Sequence, residues 1–186
     1  MITTILFDFY GVFISDSYGL WLQNNNLKRE GIFIELINRR DYNQISEPEF
    51  LSELSQLMER RVTSEEIHLQ NLQPNNSLVE LVQELKVNYK IGLLSNASTR
   101  LRVKIHDMNL TGLFDEIFIS SEISYTKPDP EAFLFAIKKM DAKPREVLFI
   151  DDNPINTTAA SNLAITSIQF SSVEALKKEL GVLQVL

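Results

Sequence analysis

The sequence has no cysteine among its 186 residues, which removes disulfides, thiolate nucleophiles and cysteine-ligated zinc in one step. It is short of cations: 18 Lys and Arg stand against 25 Asp and Glu, a net charge of -7. Binding to a phosphate backbone needs clustered Lys and Arg, so no nucleic-acid partner is expected. No apolar run approaches the roughly 20 residues of a spanning helix, and the first residues form neither a basic segment nor a cleavage site. No membrane partner is therefore expected, and the expected location is cytoplasmic. Internal repeats are missing as well, and the short run Asn24-Asn25-Asn26 is the extent of low complexity.

What is present suffices for one good core and a small appended module, since 44% of the residues are hydrophobic. The chain is organised around Thr4-Ile5-Leu6-Phe7-Asp8-Phe9-Tyr10-Gly11-Val12. Its apolar and aromatic positions read as a strand buried on both faces of a parallel sheet. Asp8 interrupts it, and a carboxylate there must be paired, metal-bound or protonated. Gly11 lets the chain turn away sharply, at the end of the sheet where ligands bind.

Residues 14–77 are polar and helix-periodic. Helices are predicted over 17–24, 28–40, 47–60 and 64–71, the last two opened by the capping boxes Ser46-x-x-Glu49 and Thr63-x-x-Glu66. From residue 78 helix and strand alternate. A helix capped by Ser77 runs to Lys86, followed by strand 90–94, helix 98–109 and strand 116–119. Asp129-Pro130 opens a helix to Met140, and strand 147–150, helix 155–162 and strand 165–170 follow. Ser171-x-x-Glu174 opens a last helix that Gly181 ends. This pattern predicts an α/β fold of three layers, with a parallel five-stranded sheet and right-handed crossovers. The expected modules are 1–13 with 78–186 as a Rossmann-like core and 14–77 as a helical insert.

The strand ends carry the chemistry. Strand 1 ends in Asp8, strand 2 in Ser95-Asn96, the loop after strand 3 holds Lys127-Pro128, and strand 4 ends in Asp151-Asp152. If strand 4 crosses back beside strand 1, up to three carboxylates meet at the switch point of the sheet. Like charges at that range cannot all ionise without a cation, and oxygen-only ligands favour Mg²⁺. Ser95 and the amides after it offer a phosphate cradle, with Lys127 as compensating charge.

Asp8-Phe9-Tyr10-Gly11-Val12, Leu94-Ser95-Asn96, Lys127-Pro128-Asp129-Pro130 and Phe149-Ile150-Asp151-Asp152-Asn153 resemble, in order and spacing, the four motifs of the haloacid dehalogenase superfamily. The insert resembles that family's helical cap of the C1 type. The resemblance implies that Asp8 is the nucleophile, that Ser95 and Asn96 hold phosphoryl oxygens and that Lys127 orients and neutralises. It further implies that Mg²⁺ sits among Asp8, the backbone carbonyl of Tyr10, Asp152 and Asp151. Phosphatases of the family usually place a second Asp two residues after the nucleophile, where this chain has Tyr10. That first motif is similar to the L-2-haloacid dehalogenase branch, whereas Asp151-Asp152 is phosphatase-like. The expected activity is hydrolysis of a small phosphorylated metabolite through an aspartyl phosphate, by a monomer or homodimer. Metal-independent dehalogenation and a catalytically weakened binding protein are the alternatives.

Other residues have simpler readings. Arg39-Arg40 reads as a solvated pair, and His68 and His106 lack partners at metal-ligand spacing. Trp21, with Tyr18, Leu20 and Leu22, reads as the core of the insert. Asp16-Ser17 reads as a helix cap and also as a substitute proton donor. Lys28, the lone lysine of the insert, is a remote Schiff-base candidate.

Overall fold

The structure, a computed structural model, describes residues 1–68 and 73–186. Five parallel strands make one sheet: β1 Thr4–Phe7, β2 Lys90–Ser95, β3 Glu116–Ile119, β4 Val147–Asp151 and β5 Thr166–Gln169. Their order is β3-β2-β1-β4-β5, with Phe7 of β1 opposite Leu93 on one side and Ile150 on the other. The order reverses at β1, so the carboxyl ends of β1, β2 and β4 form one crevice.

The sheet is buried on both faces because successive side chains of β1 serve different layers. Ile5 and Phe7 pack in a cluster with Leu81 and Leu85 of α5 (Asn76–Leu85), Leu101 and Ile105 of α6 (Arg100–Asp107) and Leu176 and Leu180 of α10 (Val173–Val182). Leu6 packs on the opposite face with Phe133 and Ala136 of α8 (Pro130–Lys139) and Ala160 of α9 (Pro154–Asn162). This is the three-layer arrangement that the alternation predicted. No helix among the described residues is long and apolar enough to cross a membrane.

Between β1 and α5 lie α1 Ser17–Asn24, α2 Ile32–Asp41, α3 Glu47–Leu57 and α4 Ser64–His68. They bury their own apolar set, including Trp21, Leu36, Phe50 and Leu54. Trp21 is part of that set, and its indole N–H donates to Glu66 at 2.9 Å. Ser46 and Glu49 form the expected reciprocal cap of α3. The end of the helix predicted over 64–71 and the side chain of His68 fall outside the described ones.

The differences from the sequence reading have local causes. The first strand stops at Phe7, because Gly11 N–H donates to Ile14 O and the Phe13 N–H to Phe9 O, winding residues 8–14 into a turn. Asn75, not Ser77, caps α5, its side chain accepting from the Leu78 N–H at 3.2 Å. Ser172 rather than Ser171 caps α10, and Gly181 lies inside that helix, the left-handed residue after it being Gln184. Asp129 precedes α8 without capping it, because its carboxylate accepts from the Tyr42 hydroxyl at 2.5 Å. A short helix, α7 Ser120–Ile123, follows β3 directly.

The two ends of the insert meet where the Asn75 N–H donates to Phe13 O at 2.8 Å. Removing residues 16–74 while keeping Asn75, with a short Gly-Ser linker, is therefore expected to leave a soluble core with native-like circular dichroism. A trimmed chain that is unfolded would contradict the separateness of the two apolar sets.

Candidate active site

Asp8 follows β1 directly, and its N–H continues the ladder to Ile150 O at 2.9 Å. Its carboxylate Oδ1 accepts from the Phe9 N–H at 2.7 Å and faces Lys127 Nζ at 3.0 Å. Lys127 Nζ also donates to Asp151 Oδ2 at 2.6 Å, so one buried ammonium bridges the ends of β1 and β4. Burial pushes the Asp8 carboxyl up to about 7, with Lys127 opposing and Asp151 reinforcing the rise. Burial works against the charge on Lys127, yet Asp151 and Asp8 together hold its pKa above the ordinary lysine value. Carboxylate oxygens of Asp8, Asp151 and Asp152 lie within 4.8 Å of one another. One lysine cannot neutralise all three, and burial followed by the charge of Asp151 raises the pKa of Asp152 as well.

The two adjacent acids do different work. Asp151 is fully buried and saturated: besides Lys127 it accepts from the Asn153 N–H at 2.8 Å and from Asn156 Nδ2 at 3.1 and 3.0 Å. Asp152 is exposed and lies against the backbone of Gly11. A Cβ at Gly11 would stand 2.2 Å from Asp152 Oδ2, and the residue has φ +80°. Only glycine satisfies both the close approach and the left-handed backbone.

Ser95 ends β2 with its hydroxyl buried and without a hydrogen-bond partner of good geometry, although it is near enough to Asp8 to favour the ionised carboxyl. Orphaned buried hydroxyls are costly, and this one suits an incoming anionic oxygen. The Asn96 side chain is already committed. Its Nδ2 donates to Lys127 O at 2.7 Å while its Oδ1 accepts from the Lys127 N–H at 2.8 Å. Asn96 thus fixes the backbone that delivers Lys127, beside a cis peptide bond to Pro128.

Asp8, Asn96, Lys127 and Asp152 line a cavity of about 410 Å³, whose far wall is built by α1 and α2 of the insert. Tyr10 lines it, its ring edge-on to Phe9 at 5.4 Å and Lys104 Nζ 5.4 Å from its centroid. Burial, with Asp41 adding to it and Arg40 opposing, raises the phenol pKa well above its ordinary value. Asp16 lines the cavity too, as the cap of α1 and the ion-pair partner of Arg29.

Arg40 corrects the reading of Arg39-Arg40 as a solvated pair. Arg39 pairs with Glu53 near the surface, but Arg40 is buried against the Phe50 ring and bonded to Asp41. The period of α2 turns one arginine outward and the next inward, which sequence adjacency hides. Asn156 was also missed, though its position in the first turn after Asp151-Asp152-Asn153-Pro154 was a usable signal. Lys28 is 82% exposed and His106 83%, away from this chemistry.

Residues 2–163 match the family model of haloacid dehalogenase-like hydrolases. A D-ribitol-5-phosphate phosphatase of Bacteroides thetaiotaomicron is 28% identical, and the alignment covers 98% of each chain. Among solved structures, a haloacid dehalogenase family enzyme of the same organism, in complex with magnesium and inorganic phosphate, superposes with a TM-score of 0.73. It is 23% identical, and 95% of this chain and 99% of that one are covered. An L-2-haloacid dehalogenase of Xanthobacter autotrophicus is similar in fold at a TM-score of 0.66 and 20% identity, over 100% of this chain and 85% of that one.

Proposed function

Because the chain belongs to the haloacid dehalogenase-like hydrolases, we propose that it is a Mg²⁺-dependent phosphatase of small phosphomonoesters. It works through a phosphoryl group carried on Asp8, with residues 14–77 as the cap over the site. One observation carries the reading: three carboxylates gathered within 4.8 Å around a single lysine. The resemblance to a named phosphatase over nearly the whole of both chains supports it.

The donor set fits a hard cation, being oxygen alone and carrying more negative charge than Lys127 offsets. Asp8, Asp152 and the Tyr10 carbonyl would hold the ion, while Asp151, whose oxygens already serve Lys127 and Asn156, contributes its charge. When bound, Mg²⁺ supplies Lewis-acid neutralisation of the phosphoryl oxygens.

The chain's own residues do the rest. Ser95 Oγ and Lys127 Nζ bind phosphoryl oxygens, and Asn96, through the Lys127 backbone, fixes where that ammonium lies. An Asp8 carboxylate oxygen attacks phosphorus, the ester P–O bond breaks, and the leaving oxygen departs with its electron pair. Water then attacks phosphorus, the bond to Asp8 breaks, and inorganic phosphate leaves with the carboxylate restored. Lys127 faces Asp8 and Asp151 at once, so its charge favours the ionised nucleophile against the effect of burial, and the two acids keep it protonated.

Tyr10 favours a second reading, metal-free dehalogenation, because a halide leaves without a proton. A panel of phosphomonoesters and 2-haloacids, each with Mg²⁺ and with chelator, separates the two. Phosphate release that stops in chelator is expected, and halide release that persists in chelator would replace the phosphatase reading.

Gly11→Ala tests the placement of Asp152. The added Cβ meets the Asp152 carboxylate in a backbone region that alanine avoids, so a loss of about 1–3 kcal/mol in chemical denaturation is expected. The Mg²⁺ concentration for half-maximal activity should rise by roughly tenfold or more. An unchanged Mg²⁺ requirement would remove Asp152 from the ion's site.

A further inference from the structure

The insert meets the core at a second place, apart from the chain crossing where Asn75 bonds to Phe13. Tyr42 ends α2, its N–H donating to Asn38 O at 2.8 Å, and the buried pair of Arg40 and Asp41 just before it fixes how that last turn lies. Its ring reaches across to the core, where the hydroxyl donates to Asp129 Oδ2 at 2.5 Å over 87 positions of chain. Burial raises the phenol pKa, the bond to Asp129 adds to the rise, and the Thr126 hydroxyl opposes it. The phenol therefore stays a donor at neutral pH, with Thr126 and Asp129 both beside its oxygen.

Thr126 and Asp129 are the two ends of one turn. The Asp129 N–H donates to Thr126 O at 2.9 Å, and Lys127 and Pro128 lie between them. Lys127 is the ammonium shared by Asp8 and Asp151. The core grips this turn once, through the Asn96 side chain on the Lys127 backbone, and Tyr42 grips it again from the insert. A hydrogen bond from a phenol to a carboxylate is charge-assisted and stronger than a neutral one. Asp129 neither caps α8 through its side chain nor lines the cavity, so the bond to Tyr42 is the contribution seen for its carboxylate.

We infer that Tyr42 is a positioning residue for Lys127: its hydroxyl clamps the turn from Thr126 to Asp129 against the insert, so the lysine is fully placed only when the insert is seated on the core. The inference rests on the phosphatase reading for the part Lys127 plays, and on the hydrogen bonds of the turn for the coupling.

Tyr42→Phe removes the hydroxyl and keeps the ring. With p-nitrophenyl phosphate and Mg²⁺, kcat is expected to fall by roughly tenfold at little change in KM, because Lys127 neutralises charge on the phosphoryl group in transfer while Asn96 still holds its backbone. Asp129→Ala should give the same loss, and the double variant no more than either alone. Asp129→Asn, which keeps an oxygen acceptor, should recover most of it. Hydrogen exchange without substrate reads the turn itself: the Lys127 and Asp129 amides should exchange at least roughly fivefold faster in Tyr42→Phe than in the wild type, with the β1 and β4 amides unchanged. Unchanged kcat, whether or not KM rises, overturns the inference, as do losses that multiply in the double variant and unchanged exchange of the two amides. If Tyr42→Phe does not fold, Asp129→Ala carries both measurements. A wild type that leaves p-nitrophenyl phosphate intact removes the phosphatase reading, and exchange then decides by itself whether the clamp exists.

Discussion

Asp8→Asn is expected to lower p-nitrophenyl phosphate hydrolysis by at least roughly 10⁴-fold, the scale on which removing a covalent nucleophile acts. The amide keeps the shape of the carboxylate, so its bond from the Phe9 N–H survives while the attacking lone pair is lost. Stability should not fall with activity. Burial, with Asp151 adding to it and Lys127 opposing, pushes the Asp8 carboxyl up to about 7, which means that the folded chain resists a charge at this position and that a neutral amide relieves it. Steady-state rates and chemical denaturation, measured on the same preparation, check the two halves. Retained turnover would take the nucleophile away from Asp8, and collapse of the fold would show that the Lys127 bridge needs a charge on both sides.

Tyr10→Asp is expected to raise turnover on alkyl phosphates by roughly 10²- to 10⁴-fold, the usual worth of general acid-base help, and to change aryl phosphates little. The phenol stays protonated throughout the physiological range, because burial raises its pKa above an already high ordinary value. It therefore cannot act as a base, and it gives up a proton reluctantly to a departing alkoxide. Wild-type rates should fall steeply with leaving-group pKa, and the variant should flatten that dependence. A flat dependence in the wild type would mean that another donor is in place. Asp16 and Asp41 are acids on that wall, although Asp16 already caps α1 and pairs with Arg29 and Asp41 is bonded to Arg40.

Much of the site was legible because it lies where strands end. Asp8, Ser95 and Asp151 each follow or close a strand whose apolar run is visible in sequence, and parallel neighbours of β1 bring those ends to one crevice. Helix starts were legible where a side chain supplies a strong cap, as at Ser46. They slipped by one or two residues where two cap-formers compete, as at Asn75 against Ser77. The cap side was less legible. Arg40 looks like its neighbour Arg39 until the helix is wound and one of them faces inward. Asn96 reads as a phosphate ligand, and only the fold discloses that both ends of its amide are spent on the Lys127 backbone. The same holds for Asp129, whose partner Tyr42 lies 87 positions away in the chain.

Asp8 is proposed to carry the phosphoryl group. Acid-quenched mass spectrometry of the protein during turnover of p-nitrophenyl phosphate with Mg²⁺ tests it most directly. One added phosphoryl group is expected on the peptide that contains Asp8, absent in Asp8→Asn and absent in excess chelator. Full turnover in chelator with that peptide unmodified would contradict it.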